Sequence, residues 1–117
     1  ALQRAYAAAL ADIPGLVMAP DFLDGWVTST FNVVLPIDAE PVIEALARSG
    51  IEARRWWMDG SHRQPAFADC PRGDLPVTEF LAARVVGLPF FLDLDATDIQ
   101  RVADELRAIV DQSAQVR

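Results

Sequence analysis

Prolines and glycines interrupt the hydrophobic pattern of this chain at short intervals, and this spacing limits each segment to one short helix or strand. Pro14-Gly15 ends the first amphipathic run, and Pro36 ends a run rich in β-branched and aromatic residues. Gly50 and Gly87 follow two further runs with helical spacing. The pattern therefore indicates a small domain in which short helices and strands follow one another.

Apolar residues at three- and four-residue spacing predict four helices. These helices cover residues 2–13, 38–50, 76–87 and 95–111, and the chain beyond residue 111 is expected to fray. Asp38 is expected to cap the second helix, while Asp74 and Asp95 stand at the starts of the last two.

The clearest strand is predicted at 27–34, because its valine, threonine and phenylalanine residues favour an extended backbone. A second strand is predicted at 51–57 and a brief edge strand at 16–18. Residues 88–92 are expected to be extended and to reach the sheet or an interface, and the polar residues 21–25 predict a turn. These elements predict an α+β fold, with a small antiparallel or mixed sheet and helices mainly on one face.

Length and charge limit the class of protein. A chain of 117 residues forms one ordinary domain. Its net charge of −7 opposes binding to nucleic acid and to anionic membranes. The longest uncharged run, 25–37, has 13 residues, whereas a transmembrane helix needs about 20 apolar residues. The solitary Cys70 cannot form an internal disulfide, so a cytoplasmic location is expected.

The residue types disfavour several kinds of chemistry. All ten basic residues are arginine, so the chain has no lysine with which to form a Schiff base. Cys70 and His62 share one loop without an evident oxyanion feature, which disfavours nucleophilic catalysis. One histidine and one cysteine among scattered acidic residues do not supply the ligand spacing of a metal site. No catalytic residue and no metal ligand are therefore predicted in this chain.

The longest predicted irregular segment, 58–75, contains the only histidine, His62, and it follows Arg54 and Trp57. Imidazole both donates and accepts hydrogen bonds, guanidinium binds phosphate or carboxylate, and tryptophan can flank a sugar or another ring. The cluster thus suits an anionic ligand that carries hydroxyl groups. The competing interpretation is that the histidine and arginines are solvated and the tryptophans belong to the core. Spacing alone does not decide between these two interpretations.

Four sequence segments, in order and at matching spacing, resemble one enzyme family. They are GIEAR at 50–54, SHRQPAF at 61–67, LPVTE at 75–79, and LAARVVGLP at 81–89 with Asp98-Ile99 after it. The chain resembles the C-terminal small domain of the DegT/DnrJ/EryC1/StrS sugar aminotransferases across nearly all of its length. The resemblance implies that residues 1–117 are a single small domain of a larger homodimeric enzyme. The large domain, which binds pyridoxal phosphate through a lysine, is then absent from this chain.

The resemblance also implies a reaction and a set of binding residues. The parent enzyme would transfer an amino group, usually from glutamate, to the keto group of a nucleotide-linked sugar. His62 would position the sugar, Arg54 would meet a phosphate or carboxylate, and Trp57 would flank the substrate. The chain alone would bind no pyridoxal phosphate covalently and would be inactive. Phe90, Phe91 and the tryptophans, severed from the large domain, are expected to be partly exposed.

Two alternatives stay open at this point. The segment 56–60 departs from the aromatic and proline pattern of relatives, so the sugar and its nucleotide are not determined. The resemblance also leaves aminotransferase and dehydratase chemistry open, because the catalytic lysine that some members of the family replace lies outside this chain. The chain could instead be a stand-alone, non-catalytic ligand-binding or regulatory module, which the missing lysine would fit equally well.

Overall fold

The computed structural model of the protein describes residues 1–19 and 25–116. Within them the chain forms four α-helices, three β-strands and two short 3-10 helices, the latter at Ser61–Arg63 and Pro65–Phe67. In chain order the main elements are α1 (Leu2–Leu10), β1 (Val17–Met18), β2 (Phe31–Val34), α2 (Ala39–Arg48), α3 (Pro76–Arg84), β3 (Val85–Leu88) and α4 (Ala96–Val116). The predicted α+β fold is confirmed. The turn predicted at 21–25 lies outside the described residues, apart from Gly25.

The three strands form one antiparallel sheet in the order β1-β2-β3. Phe31 lies opposite Leu88, and Val33 lies opposite Val86. All four side chains are buried, so these cross-strand pairs form the inner face of the sheet. The sheet is small because β1 contributes only two residues, of which Val17 pairs with Val34 of β2.

The core is filled by side chains from the inner face of the sheet and from three helices. Those from the helices are Tyr6 and Leu10 of α1, Val42 and Leu46 of α2, and Ile99, Val102, Leu106 and Val110 of α4. Tyr6 is fully buried and stacks on Phe31, with 4.7 Å between the ring centroids. Its hydroxyl donates a hydrogen bond of 2.5 Å to the carbonyl oxygen of Pro89. This contact joins α1 to the segment that follows β3.

Arg107 of α4 binds the end of α1 and the turn that follows it. Arg107 of α4 donates to the carbonyl oxygen of Ala9 at 3.1 Å and to the carboxylate of Asp12 at 2.7 Å. It also donates to Asp104 one turn earlier on α4 at 2.8 Å. The hydrogen bond from Arg107 is the main reason that the pKa of Asp12 lies below its usual value.

The end of α2 shows how one glycine fixes the entry of the next segment. Gly50 has a φ of +75°, a conformation that favours glycine. The amides of Ser49 and Ile51 both donate to Leu46 O, and that of Gly50 donates to Ala47 O. The predicted stop at Gly50 is confirmed. Asp38 occupies the N-cap position, but within the described chain its side chain makes no capping hydrogen bond.

Several element boundaries predicted from the sequence are wrong. Residues 51–57 do not form a strand; a single bridge joins Arg54 to Gly87, with N–O distances of 3.0 and 2.7 Å. The helix predicted at 76–87 ends at Arg84, and its last residues form β3 instead. Helix α4 continues to Val116 rather than fraying beyond residue 111. The helix predicted at 2–13 ends at Leu10, and the strand predicted at 27–34 begins only at Phe31.

Candidate functional site

Arg55 fixes the beginning of the long loop that carries the candidate residues. Its guanidinium donates to the carbonyl oxygens of Met58 (3.0 Å) and Ala82 (2.9 Å) and to the carboxylate of Asp59 (2.8 Å). A further bond of 3.2 Å reaches Glu40 on α2. Only 14% of the Arg55 side chain is exposed. Sequence reasoning missed this residue as an anchor, because its partners lie on α2 and α3 as well as in the loop.

The chain turns sharply after Trp57, and this turn determines where His62 lies. Met58 has a φ of +47° and Gly60 a φ of +97°. Gly60 is buried, and a Cβ atom placed on it would lie 2.8 Å from Cε1 and 2.9 Å from Nδ1 of His62. The same atom would lie 3.2 Å from the methyl group of Thr78. Glycine is therefore required at position 60 both for the backbone conformation and for the close approach of the imidazole.

His62 is held by a carboxylate on α3. Its Nε2 lies 3.3 Å from Oε1 of Glu79, and Arg63 donates to the same oxygen at 3.0 Å. Hydrogen bonds from Arg63 and then His62 hold the pKa of Glu79 below its usual value, so this carboxylate is charged near neutrality. Only 6% of the His62 side chain is exposed. The interpretation of His62 as a solvated loop residue is wrong, because the ring packs between Gly60 and Glu79.

Trp57 is 62% exposed and forms one wall of a groove of about 290 Å³ beside His62. The groove is mainly apolar, and its other walls come from Arg55, Met58, Gly60, Thr78, Leu81, Ala82 and Val85. Gly60 belongs both to this groove and to the contact with His62. Of the three predicted binding residues only Trp57 lines this groove, while His62 packs against Gly60 in its wall. The prediction that the tryptophans belong to the core is wrong for Trp57.

Arg54 lies in a separate cavity of about 580 Å³, a volume in the range of small-molecule sites, roughly 300–1,000 Å³. Its guanidinium pairs with Glu52 at 2.6 Å and lies 5.4 Å from the centre of the Trp56 ring. Phe91 and Arg101 line the same cavity. The structure therefore does not bring Arg54 together with the groove beside Trp57.

Helix α3 carries apolar side chains that are exposed to solvent. None of the residues of α3 is buried within the described chain, and Val77 and Phe80 are both more than half exposed. Phe91 and the tryptophans at 26, 56 and 57 are also exposed, which confirms the expected exposure of these side chains. Phe90 is partly exposed as well, although it packs against the core and lies 5.9 Å from Phe31 between ring centroids.

Cys70 is exposed and carries a free thiol. In residues 1–19 and 25–116, no three histidine, cysteine or acidic side chains are grouped so that they could hold a metal ion. No helix in the same ranges is long and apolar enough to cross a membrane.

The sequence profile of the DegT/DnrJ/EryC1/StrS aminotransferase family matches residues 1–107. The chain belongs to this family. Among functionally curated proteins, none matches the sequence. The family assignment confirms the resemblance that the four sequence segments indicated.

Solved structures of the family have the same fold. The structure of DesI, determined in the presence of its TDP-sugar product, is 31% identical over 97% of this chain, with a TM-score of 0.86. The structure of S. venezuelae DesV in complex with a ketimine intermediate is 27% identical over 94% of this chain, with a TM-score of 0.77. A PLP-dependent aminotransferase structure from Bacillus cereus, at 22% identity over 88% of this chain and a TM-score of 0.80, supports the fold alone. The chain covers 31%, 30% and 29% of these three proteins, respectively.

The residues of this chain do not fit a covalent pyridoxal phosphate site. Covalent attachment of this cofactor requires the primary amine of a lysine side chain. All ten basic side chains here are guanidinium groups, and neither they nor the imidazole of His62 can replace such an amine. This chain alone therefore cannot attach the cofactor covalently.

Proposed function

We propose that this chain is the C-terminal small domain of a pyridoxal phosphate-dependent aminotransferase, which transfers an amino group from glutamate to a nucleotide-linked keto sugar. The observation that carries the proposal is the match of the family profile to residues 1–107. The 31% identity to DesI, whose structure was determined with its TDP-sugar product, supports a nucleotide sugar as the substrate. The parent enzyme is a cytoplasmic homodimer in this proposal, and its large domain supplies the lysine that binds the cofactor.

His62 and Trp57 form the sugar-binding part of this domain in our proposal. Trp57 offers an exposed ring against which an apolar face of a sugar packs. His62 packs against Gly60, which lines the same groove, and in this proposal its ring forms a hydrogen bond with a sugar hydroxyl. When the two domains close, the exposed rings exclude water from the reacting groups.

Arg54 binds a different part of the ligand, because its cavity is separate from the groove. Guanidinium and Trp56 together suit a phosphate group next to a planar ring, which is the chemistry of a nucleotide. The pairing of Arg54 with Glu52 must open, at least in part, for such a ligand to bind.

The proposal is tested on the full-length protein encoded by the reading frame that contains this chain. The purified protein, loaded with pyridoxal phosphate, is mixed with glutamate and then with TDP- and UDP-linked sugars that carry a keto group at C3 or C4. We expect the cofactor spectrum to change with glutamate and an amino sugar to appear by mass spectrometry. The 117-residue chain, assayed in parallel, is expected to give no product.

Two other results would contradict the proposal. Loss of water from the sugar without amino transfer would indicate a dehydratase of the same family. If the full-length protein neither binds the cofactor nor converts any of these sugars, while the chain alone binds a nucleotide sugar by calorimetry, the stand-alone binding module would be the better interpretation.

A further inference from the structure

Arg101 of α4 lines the cavity that contains Arg54, and its charge is not paired. Within residues 1–19 and 25–116, no carboxylate forms an ion pair with the Arg101 guanidinium. Arg54 differs, because Glu52 pairs with it at 2.6 Å. An anionic ligand must compete with Glu52 for Arg54, whereas it can bind Arg101 without breaking an ion pair. Arg101 is therefore the cation of this cavity that is available to an anion.

The guanidinium of Arg101 is held in place by the end of α2. Its Nη2 donates to the carbonyl oxygen of Ser49. A Cβ atom placed on Gly50, which also lines the cavity, would lie 3.9 Å from the same nitrogen. A guanidinium has more N–H donors than this one bond uses, and its planar fork suits two oxygens of a phosphate group. The bond to Ser49 thus fixes the group and leaves donors for a ligand.

Two aromatic side chains border the same cavity. Trp56 and Phe91 each have about half of their surface exposed. The indole of Trp56 lies close against Gly87, where a Cβ atom would come within 2.6 Å of its Cδ1, so the position of the ring is fixed. Exposed aromatic faces stack on planar rings, including nucleobases. The cavity therefore offers an aromatic surface as well as an available guanidinium.

Two acidic groups limit which anions the cavity can accept. Glu52 and Asp98 both line it, and Asp98 lies one turn before Arg101 on α4. The carboxylate of Asp98 accepts from the amide of Asp95 at 3.4 Å. These carboxylates repel a ligand that is anionic throughout, but they accept hydrogen bonds from hydroxyl groups. The cavity thus suits a ligand that combines a phosphate with hydroxyl groups and a planar ring.

We propose that this cavity binds the nucleoside diphosphate part of the sugar substrate, with Arg101 as the principal phosphate-binding residue and Trp56 against the base. The proposal rests on the proposed function, since it names the part of the substrate that occupies the Arg54 cavity. Arg54 contributes less than Arg101, because Glu52 competes with the phosphate for its guanidinium.

Calorimetry on the full-length protein, encoded by the reading frame that contains this chain, measures the dissociation constants for TDP, inorganic pyrophosphate and thymidine. Arg101→Gln should weaken the binding of TDP and of pyrophosphate about tenfold, as expected for loss of charge-assisted hydrogen bonds. Arg54→Gln should weaken it by less than about threefold, because this guanidinium is already paired. Arg48→Gln, the same change at an exposed residue of α2 outside the cavity, should have no effect. A larger loss in Arg54→Gln than in Arg101→Gln, or equal losses in Arg101→Gln and Arg48→Gln, would refute the role of Arg101.

Two further variants separate binding from folding and the base from the phosphates. Glu52→Gln frees Arg54 and removes a negative charge, so it should bind TDP more tightly than the wild type does, a gain that misfolding cannot produce. Trp56→Leu should weaken the binding of TDP and thymidine and leave that of pyrophosphate unchanged. Unchanged TDP binding in Glu52→Gln, or an equal effect of Trp56→Leu on all three ligands, would overturn the proposal.

These measurements do not depend on amino transfer. If the wild-type protein binds no TDP and yet aminates a nucleotide sugar, the inference about this cavity fails and the proposed function stands. If it binds TDP through Arg101 and aminates no sugar, the proposed reaction fails and the nucleotide site stands.

Discussion

Removing the hydroxyl of Tyr6 tests whether the contact between α1 and the segment after β3 stabilises the domain. Tyr6→Phe keeps the buried ring and its stacking on Phe31, so no cavity forms. The change deletes the 2.5 Å hydrogen bond and leaves the carbonyl oxygen of Pro89 without this donor. An unsatisfied buried group costs about 1–3 kcal/mol, and we expect the free energy of unfolding to fall by about 2 kcal/mol within that range.

Unfolding in urea is monitored by far-UV circular dichroism and by tryptophan fluorescence. The slope of the unfolding free energy against urea concentration should be the same for the variant and the wild type. Thr28→Val is the control, because it also removes a hydroxyl that donates to a carbonyl oxygen, that of Thr30, but over only two residues. The control should change the unfolding free energy by less than about 1 kcal/mol. If Tyr6→Phe and the control are equally mild, the hydroxyl of Tyr6 contributes nothing beyond its ring.

The pH dependence of the free energy of unfolding provides a second measurement on Tyr6. Burial, and secondly the charge of Asp98, raise the pKa of Tyr6 well above its usual value. The unfolded chain therefore releases this proton first, near pH 10, and the folded state loses stability as pH rises further. The slope is at most about 1.4 kcal/mol per pH unit for one proton. Tyr6→Phe should lack this loss, and a slope that persists in the variant would assign it to another group.

Two further changes test the packing around the sheet and the surface. Gly87→Ala would bring a Cβ to 2.6 Å from Cδ1 of Trp56, so the indole should be displaced and tryptophan emission should shift to the red. Gly73→Ala is the control, because no atom lies within 4 Å of the added Cβ, and it should leave the emission unchanged. Equal spectra for the two variants would refute the contact between Gly87 and Trp56. Arg107→Met should destabilise the domain at pH 7, because it removes the partner that lowers the pKa of Asp12. A carboxyl group with a lowered pKa stabilises the folded state only above its unfolded pKa of about 4. The difference in melting temperature between the variant and the wild type should therefore shrink as pH falls below that value.

The helical part of the fold could be predicted from the sequence because it depends on local signals. The stripe of Val42 and Leu46 and the stop at Gly50 define α2, and the apolar repeat that includes Ile99 and Leu106 defines α4. These patterns are read within one or two turns of a helix. They require no knowledge of which segments become neighbours.

The strands were predicted less well because strand pairing is a tertiary property. Val85 and Val86 continue the apparent helical repeat of α3, yet they pair with β2. Their β-branched side chains were the available signal against a helix. The segment 51–57 has strand-like composition, but the anchoring of Arg55 and the positive φ of Met58 turn the chain away after one bridge.

The candidate site was predicted in part. The sequence singled out Trp57, which lines the groove, and His62, which packs against Gly60 in its wall. It grouped Arg54 with them, although this residue lies in another cavity. The burial of His62 could not be predicted, because it depends on contacts with Glu79, seventeen positions away, and with the backbone of Gly60. A glycine shortly before a histidine was the only local sign of such close packing.

The pairing of α1 with α4 has a consequence for how the chain folds during synthesis. Translation proceeds from the amino end, so Tyr6 and Leu10 of α1 leave the ribosome long before α4. Their partners, among them Leu106 and the carbonyl of Pro89, which is 83 positions after Tyr6, are made much later. Until then α1 displays an apolar face that chaperones can bind, and stable closure of the core must await completion of the last helix.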